Sequence, residues 1–317
     1  MITGFFKKMS ARKMIDIGAN LTDPMFQGIY NGTKKHEGDL NAVLERAWNA
    51  GVDKIIVTGG SLEDCKAALK IAKTDEKLYS TVGVHPTRCE EFEAEGSPEN
   101  HIKALQELVE EGVDLEKVIA IGECGLDYDR LKFCPKETQL RYFEKQLALA
   151  THFNLPLFLH CRNAASDLVT VLSNHRQNLV DENKEKLRGV VHSFDGTSDE
   201  AQKILDLGFF IGINGCSLKT DSNLETLKSL PSDKILIETD SPWCEPRPTH
   251  AWNSIIPYKA PEKQVKKEKW VPGCTVKGRN EPGFIGQILD IIAATRGEDA
   301  DNLCNIIHEN TMKLFFK

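Results

Sequence analysis

Short apolar runs and amphipathic stretches alternate along almost the whole chain. The apolar runs are "MIDIG" at 14–18, "KIIVTG" at 54–59, "LYSTVGV" at 78–84, "VIAIG" at 118–122, "LPLFLH" at 155–160, "GVVHSF" at 189–194, "FFIGIN" at 209–214 and "KILIETD" at 234–240. Most are continuous rather than alternating, the pattern of a strand buried on both faces. Between them lie helical signals. Ser61-Leu62-Glu63-Asp64 has the form of a capping box, and Ser97 followed by Pro98 marks a helix start. Leu140, Phe143 and Leu147 repeat at i, i+3, i+7, Thr197 with Glu200 opens another helix, and Gly208 closes it.

Eight strands and about eight helices in strict alternation predict an α/β protein. Its crossovers are right-handed, and eight such units close into a (β/α)8 TIM barrel. A doubly wound open sheet shares the alternation, which does not by itself reveal closure. A single barrel domain is expected over 14–317, preceded by a disordered segment 1–13 that carries four basic side chains and no acid. One region breaks the pattern. Between Pro242 and Pro282 fall seven of the 13 prolines and three of the four tryptophans, and from Arg247 to Arg279 there are eight Lys/Arg against two Glu. Long ordered excursions of this kind are usually functional.

Composition narrows the class. The 317 residues carry a formal charge of −7, with 40% apolar and 27% charged side chains, ordinary for a globular protein. No apolar run nears the ~18 residues of a membrane span, and no signal-peptide core is present. The nine cysteines form no C-x-x-C pair, which points to a reducing compartment. The acidic balance excludes a generally basic nucleic-acid binder but not a local basic groove.

The chemistry is concentrated where the strands end. The third run is followed by His85, the fourth by Glu123, and the fifth ends in His160 with Arg162 just beyond; the sixth carries His192 and the eighth Asp240. In a barrel these positions converge on the C-terminal mouth, where active sites are built. Histidines with a glutamate and an aspartate make a mixed N/O divalent-metal site without thiolate. A cation there would stabilise Glu123 at the end of an apolar strand, where an unpaired charge costs several kcal/mol. Cys124 and Cys161, adjacent to Glu123 and His160, should point to the opposite face, toward the helices. A glycosidase carboxylate pair would leave the three histidines unexplained.

The motifs "DIGANLTD", "GVHP", "IGECGLDYD", "LHCR", "VHSF", "IETDSPW" and "RNEP", in this order from residue 15 to residue 282, resemble the TatD family of metal-dependent deoxyribonucleases within the amidohydrolase-like barrels. The first motif and the Trp-rich insert point, within that family, to the eukaryotic TatD-domain-containing protein 1 group. The resemblance implies that Glu123, His160, His192 and Asp240 are metal ligands, with Glu123 shared between two ions. It implies that Asp240 also orients or deprotonates the attacking water and that His85 is a substrate-site histidine. Arg162 stands where a phosphate contact is useful, and Asp127 and Arg279 are further candidates for substrate or supporting contacts. Many members end the first strand with His-x-His. Here the same place reads Gly18-Ala19-Asn20, so Asn20 is the only neighbour offered to the second ion. Such an oxygen-rich set favours Mg2+, with Mn2+ next, over Zn2+.

The activity so implied is 3′-5′ hydrolysis of DNA, single-stranded or frayed, with Trp243, Trp252 or Trp270 able to stack on bases and the basic insert tracking the backbone. Two other readings share the ligands: an ester or amide hydrolase such as a D-aminoacyl-tRNA deacylase, and a metal-binding protein without turnover. Nuclear or cytoplasmic residence is expected, with no membrane association and no obligate protein partner.

Overall fold

In the computed structural model, which describes residues 12–94, 96–180, 185–261 and 263–316, eight parallel strands pair in chain order. They are β1 (Met14–Ala19), β2 (Val52–Val57), β3 (Leu78–Val82), β4 (Val118–Asp127), β5 (Leu157–Arg162), β6 (Gly189–Val191), β7 (Phe210–Ile213) and β8 (Ile235–Ile237). The ring closes just past β8. Asp240 N–H donates to the Gly18 carbonyl at 2.8 Å, Asn20 N–H donates to that of Ser241 at 2.7 Å, and Ala19 bridges Ser241 in parallel. The barrel expected from the alternation is therefore formed.

The helices return the chain over the outside: α1 (Leu40–Asn49), α2 (Leu62–Ala72), α3 (Pro98–Asp114), α4 (Lys136–Phe153), α5 (Ala165–Asn178), α6 (Ser198–Asp206), α7 (Asp221–Ser229), α8 (Ile285–Arg296) and α9 (Ala300–Phe315). Their starts follow the capping residues. The Ser61 hydroxyl accepts from Asp64 N–H at 3.1 Å, and Thr197 and Glu200 make both bonds of a capping box. Gly208, at φ +84°, follows the end of α6 in the left-handed region that favours glycine.

Two apolar layers result. The larger lies between strands and helices and includes Cys124, Phe143 and Leu147. The smaller includes Ile15, Ile17, Ile56, Phe158, Val190 and Leu236, and Leu314 and Phe315 of the last helix pack with it.

Several sequence expectations shift. Strand β4 runs to Asp127 instead of stopping at Gly122, because β5 extends beside it and pairs Gly125 with His160 and Asp127 with Arg162. Glu123 thus lies inside a strand, not at its end. Strands β6 and β8 are only three residues each. Residues 1–11 of the segment expected to be disordered lie outside the described residues. Arg12, from its end, is placed and donates to Asp290 and Asp301, each at 2.6 Å. No helix among the described residues is long and apolar enough to cross a membrane.

Candidate metal centre

Glu123 is delivered by an irregularity in β4. The register against β5 breaks between Gly122 and Cys124. Gly122 sits at φ +148°, where a Cβ would overlap the Phe158 carbonyl oxygen, so only glycine fits. The Glu123 carboxylate then meets three imidazoles. Its Oε1 is 2.8 Å from His160 Nδ1, 2.8 Å from His192 Nε2 and 3.5 Å from His85 Nε2. His85 and His160 contact edge to face, and His192 stacks on Phe158.

Each ring is aimed by a further group. His160 Nε2 lies 3.1 Å from the buried Asp127 carboxylate. His85 Nδ1 lies 2.7 Å from the Thr87 hydroxyl. His192 Nδ1 is 3.4 Å from Glu238 Oε1, without the alignment of a hydrogen bond. Asp240, in the left-handed region at φ +52°, accepts from the Asn20 amide at 2.8 Å and from the Cys244 thiol at 3.0 Å.

The electrostatics follow from burial working against pairing. Burial pushes Glu123 up, but His192 and His85 more than reverse this and hold it well below the usual carboxylate range. For His192 burial disfavours the charge, and Glu123 and Glu238 overcome it, raising the ring well above its ordinary value. His160 is raised in the same way, by Asp127 and Glu123. His85 gains less from Glu123 and is lowered by burial to about 4. Asp240 is raised to about 6, chiefly by burial.

Ligand atoms of His85, Glu123 and His160 lie within 4.8 Å of one another. Imidazole nitrogens converging on a carboxylate oxygen, with a second carboxylate on the same cavity, form a donor set that suits a divalent cation. The cavity measures about 640 Å³ and is lined also by Asn20, His192 and Asp240. Four cationic side chains, Arg88, Arg130, Arg162 and Lys219, also line it, with Asp64 beside Arg88 at 3.8 Å, and so does the half-exposed Trp243.

The remaining candidates separate clearly. Arg162 reaches the cavity and is tethered to Asp195 at 2.9 Å. Asp127 is buried behind His160 and does not line the cavity. Asn20 neighbours the site, but its amide N–H is spent on Asp240. Arg279, read as a substrate group, does not reach the mouth. It is fully buried, bidentate on Asp39 at 2.7 and 2.6 Å and bonded to Glu281 at 2.9 Å. Of the tryptophans, Trp252 is fully buried and Trp270 stacks on His36, which leaves Trp243 at the cavity. Cys124 packs in the outer apolar layer, and Cys161 lies against it.

Sequence reasoning missed Glu238. It is fully buried, and its Oε1 accepts from Ser193 N–H at 2.5 Å and from the Asn214 amide at 3.2 Å. Two residues before Asp240, it had the period-2 spacing that should have marked it.

Comparison with known proteins accords with this geometry. The TatD related DNase family model matches residues 15–316. The deoxyribonuclease Tat-D of Schizosaccharomyces pombe is 42% identical over 96% of this chain and 96% of its own length. The 3′-5′ ssDNA/RNA exonuclease TatD of Escherichia fergusonii is 35% identical over 95% of this chain and 98% of its own. The crystal structure of a TatD family hydrolase from Entamoeba histolytica superposes with a TM-score of 0.88 at 38% identity, over 96% of this chain and 99% of that one.

Proposed function

This chain belongs to the TatD-related DNase family, and from that premise we propose that it is a divalent-metal-dependent deoxyribonuclease. Its substrate is single-stranded or frayed DNA, hydrolysed from the 3′ end. The observation that carries the reading is the cavity itself: a floor of Glu123, His160, His192 and Asp240 under a rim of Arg88, Arg130, Arg162 and Lys219. A DNA strand is a polyanion: the floor faces the phosphodiester to be cut, and the rim faces its neighbours.

Glu123, His160, His192 and Asp240 would hold two divalent ions, Mg2+ in preference to Mn2+ or Zn2+. Bound there, the ions supply Lewis-acid polarisation of water and of phosphoryl oxygen. The chain's own groups do the rest. The Asp240 carboxylate takes the proton of the attacking water. Asn20 holds that carboxylate in place, at 2.8 Å. Asp127 and Glu123 fix the orientation of the His160 ring between them. Arg162 offsets charge on the phosphoryl oxygens, and the neutral His85 ring can donate a hydrogen bond to them. Trp243 offers a face for a base next to the scissile bond. The protein works in a reducing compartment, nucleus or cytosol.

The test uses chelated protein with Mg2+, Mn2+ or Zn2+ restored, on single-stranded DNA labelled separately at each end. A ladder shortening from the 3′ end of the 5′-labelled strand is expected, dependent on metal and lost in Asp240→Asn. Absence of cleavage with every ion overturns DNA as the substrate, and aminoacyl esters of tRNA are then the substrates to assay.

A further inference from the structure

On the wall of the same cavity, beside Asp240, two cysteines from different loops face each other. Cys216 follows β7 in a short 3-10 turn, and Cys244 lies in the segment after β8. Their sulfurs are 2.9 Å apart, and both side chains are only partly buried and line the cavity. Of the remaining seven cysteines, Cys89 and Cys134 form a second close pair, but it is buried in the apolar layer, so the Cys216–Cys244 pair is the one that a small reagent entering the mouth would meet.

The loops carrying them are packed before any bond forms. A Cβ at Gly215 would overlap the Cys244 carbonyl oxygen and stand 2.8 Å from Pro246 N, so glycine is what lets the two backbones approach. Closing from 2.9 Å to the ~2.05 Å of a disulfide needs a side-chain movement of under an ångström or so. The Cys244 thiol also donates to Asp240 Oδ2 at 3.0 Å, so the state of this pair is coupled to the carboxylate.

We propose that Cys216 and Cys244 form a thiol–disulfide pair, oxidisable by hydrogen peroxide, whose closure withdraws a hydrogen bond from Asp240 and lowers activity. The Cys216 thiolate attacks one peroxide oxygen, releases hydroxide and becomes a sulfenic acid. The Cys244 sulfur attacks the Cys216 sulfur; its proton and the departing hydroxide leave as water. In sum, two thiols lose two electrons and two protons, and the peroxide is reduced to two waters. The one thiol hydrogen of Cys244 is committed to Asp240, so Cys216 is the sulfur left to lose its proton and make the first attack. The disulfide has no S–H, so Asp240 Oδ2 loses its donor.

The linked peptide is independent of the proposed function, whereas Mn2+ affinity rests on its metal site and DNA cleavage on its substrate. Full-length protein is treated with graded hydrogen peroxide, alkylated and digested. Mass spectrometry should find a Cys216–Cys244 linked peptide, lighter by the two thiol hydrogens, that dithiothreitol abolishes. In parallel, Mn2+ affinity followed by electron paramagnetic resonance and DNA cleavage should each fall about 10- to 100-fold, the range seen when a ligand loses a supporting contact, and both should recover with dithiothreitol. Cys216→Ser, measured against its own untreated Mn2+ affinity and cleavage, should show no response to peroxide. The proposal is overturned if no linked peptide forms at doses that modify other thiols. It is equally overturned if the peptide forms while Mn2+ affinity stays constant, or if Cys216→Ser is as sensitive as the parent. Protein that forms the peptide and loses Mn2+ affinity but never cleaves DNA supports the switch and refutes only the substrate.

Discussion

Replacing Arg279 separates a structural cation from a substrate contact. The guanidinium is wholly buried, over the Phe26 ring at 5.3 Å, and makes three charge-assisted bonds to Asp39 and Glu281 together with one to the Met25 carbonyl at 3.2 Å. Asp39 stands at the N-cap of α1 yet makes no side-chain cap bond; its carboxylate is committed to Arg279. Arg279→Met strands two buried carboxylates. Removing one partner of a buried ion pair costs about 3–5 kcal/mol. Arg46, at 2.8 Å from Glu281 and 3.6 Å from Asp39, compensates in part, so the low end of about 3 kcal/mol is expected. At roughly 2–4 °C per kcal/mol for a large domain, calorimetry should show a fall of about 6–12 °C in Tm. Arg279→Lys, which keeps charge but not the fork, should fall between variant and parent. The KM of the folded fraction for single-stranded DNA should not move. A Tm within about 2 °C of the parent with KM raised tenfold would refute the reasoning and return Arg279 to the substrate.

Further expectations concern other parts of the molecule. Trp252→Ala should destabilise by about 3–5 kcal/mol in urea unfolding, since Trp252 is fully buried. Trp243→Ala should leave stability within about 0.5 kcal/mol but weaken binding of single-stranded DNA by about 1–3 kcal/mol in an anisotropy titration; equal effects of the two changes would deny Trp243 a stacking role. Burial raises Asp16 to about 8, far above its unfolded value of about 3.9. The folded state therefore holds that proton more tightly, and the stability it contributes is complete below about pH 4 and lost as pH rises toward 8. Asp16→Asn should flatten stability against pH across that window, and parallel curves for variant and parent would show Asp16 ionised in the fold. Arg130, 60% exposed on the rim, should account for a slope of about 0.7 in log KM against log salt, which Arg130→Ala removes; an unchanged slope would place the phosphates elsewhere.

Strands were legible because barrel strands are apolar on both faces, and no surface strand imitates that pattern. Strand β4 was cut short for the same reason. Glu123 and Asp127 read as the end of an apolar run, although all ten residues of the strand are buried. Their burial comes from His160 on β5 and from His85 in the loop after β3, and local polarity carries no trace of it. The convergence of Glu123, His160, His192 and Asp240 on one cavity was readable because fold and strand end together fix where a side chain arrives. Arg279 was misread because its partner Asp39 is 240 positions away, and a basic, proline-rich stretch looks solvated until that partner is found. Trp252 fails likewise: the insert brings its own apolar anchor, and composition cannot distinguish an anchor from an exposed ring. The Cys216–Cys244 pair joins two loops 28 residues apart and has no spacing signature.

Gly18, near the end of β1, is a position that no larger side chain can take unaided. The room such a side chain needs is already taken: a Cβ at position 18 would lie 2.8 Å from Glu238 Oε2 and 2.9 Å from Phe158 Cζ. Phe158 in turn stacks on His192, so displacing it disturbs a ring of the cluster. A side chain at position 18 therefore needs Phe158 or Glu238 to move first, and Phe158 cannot move without disturbing His192.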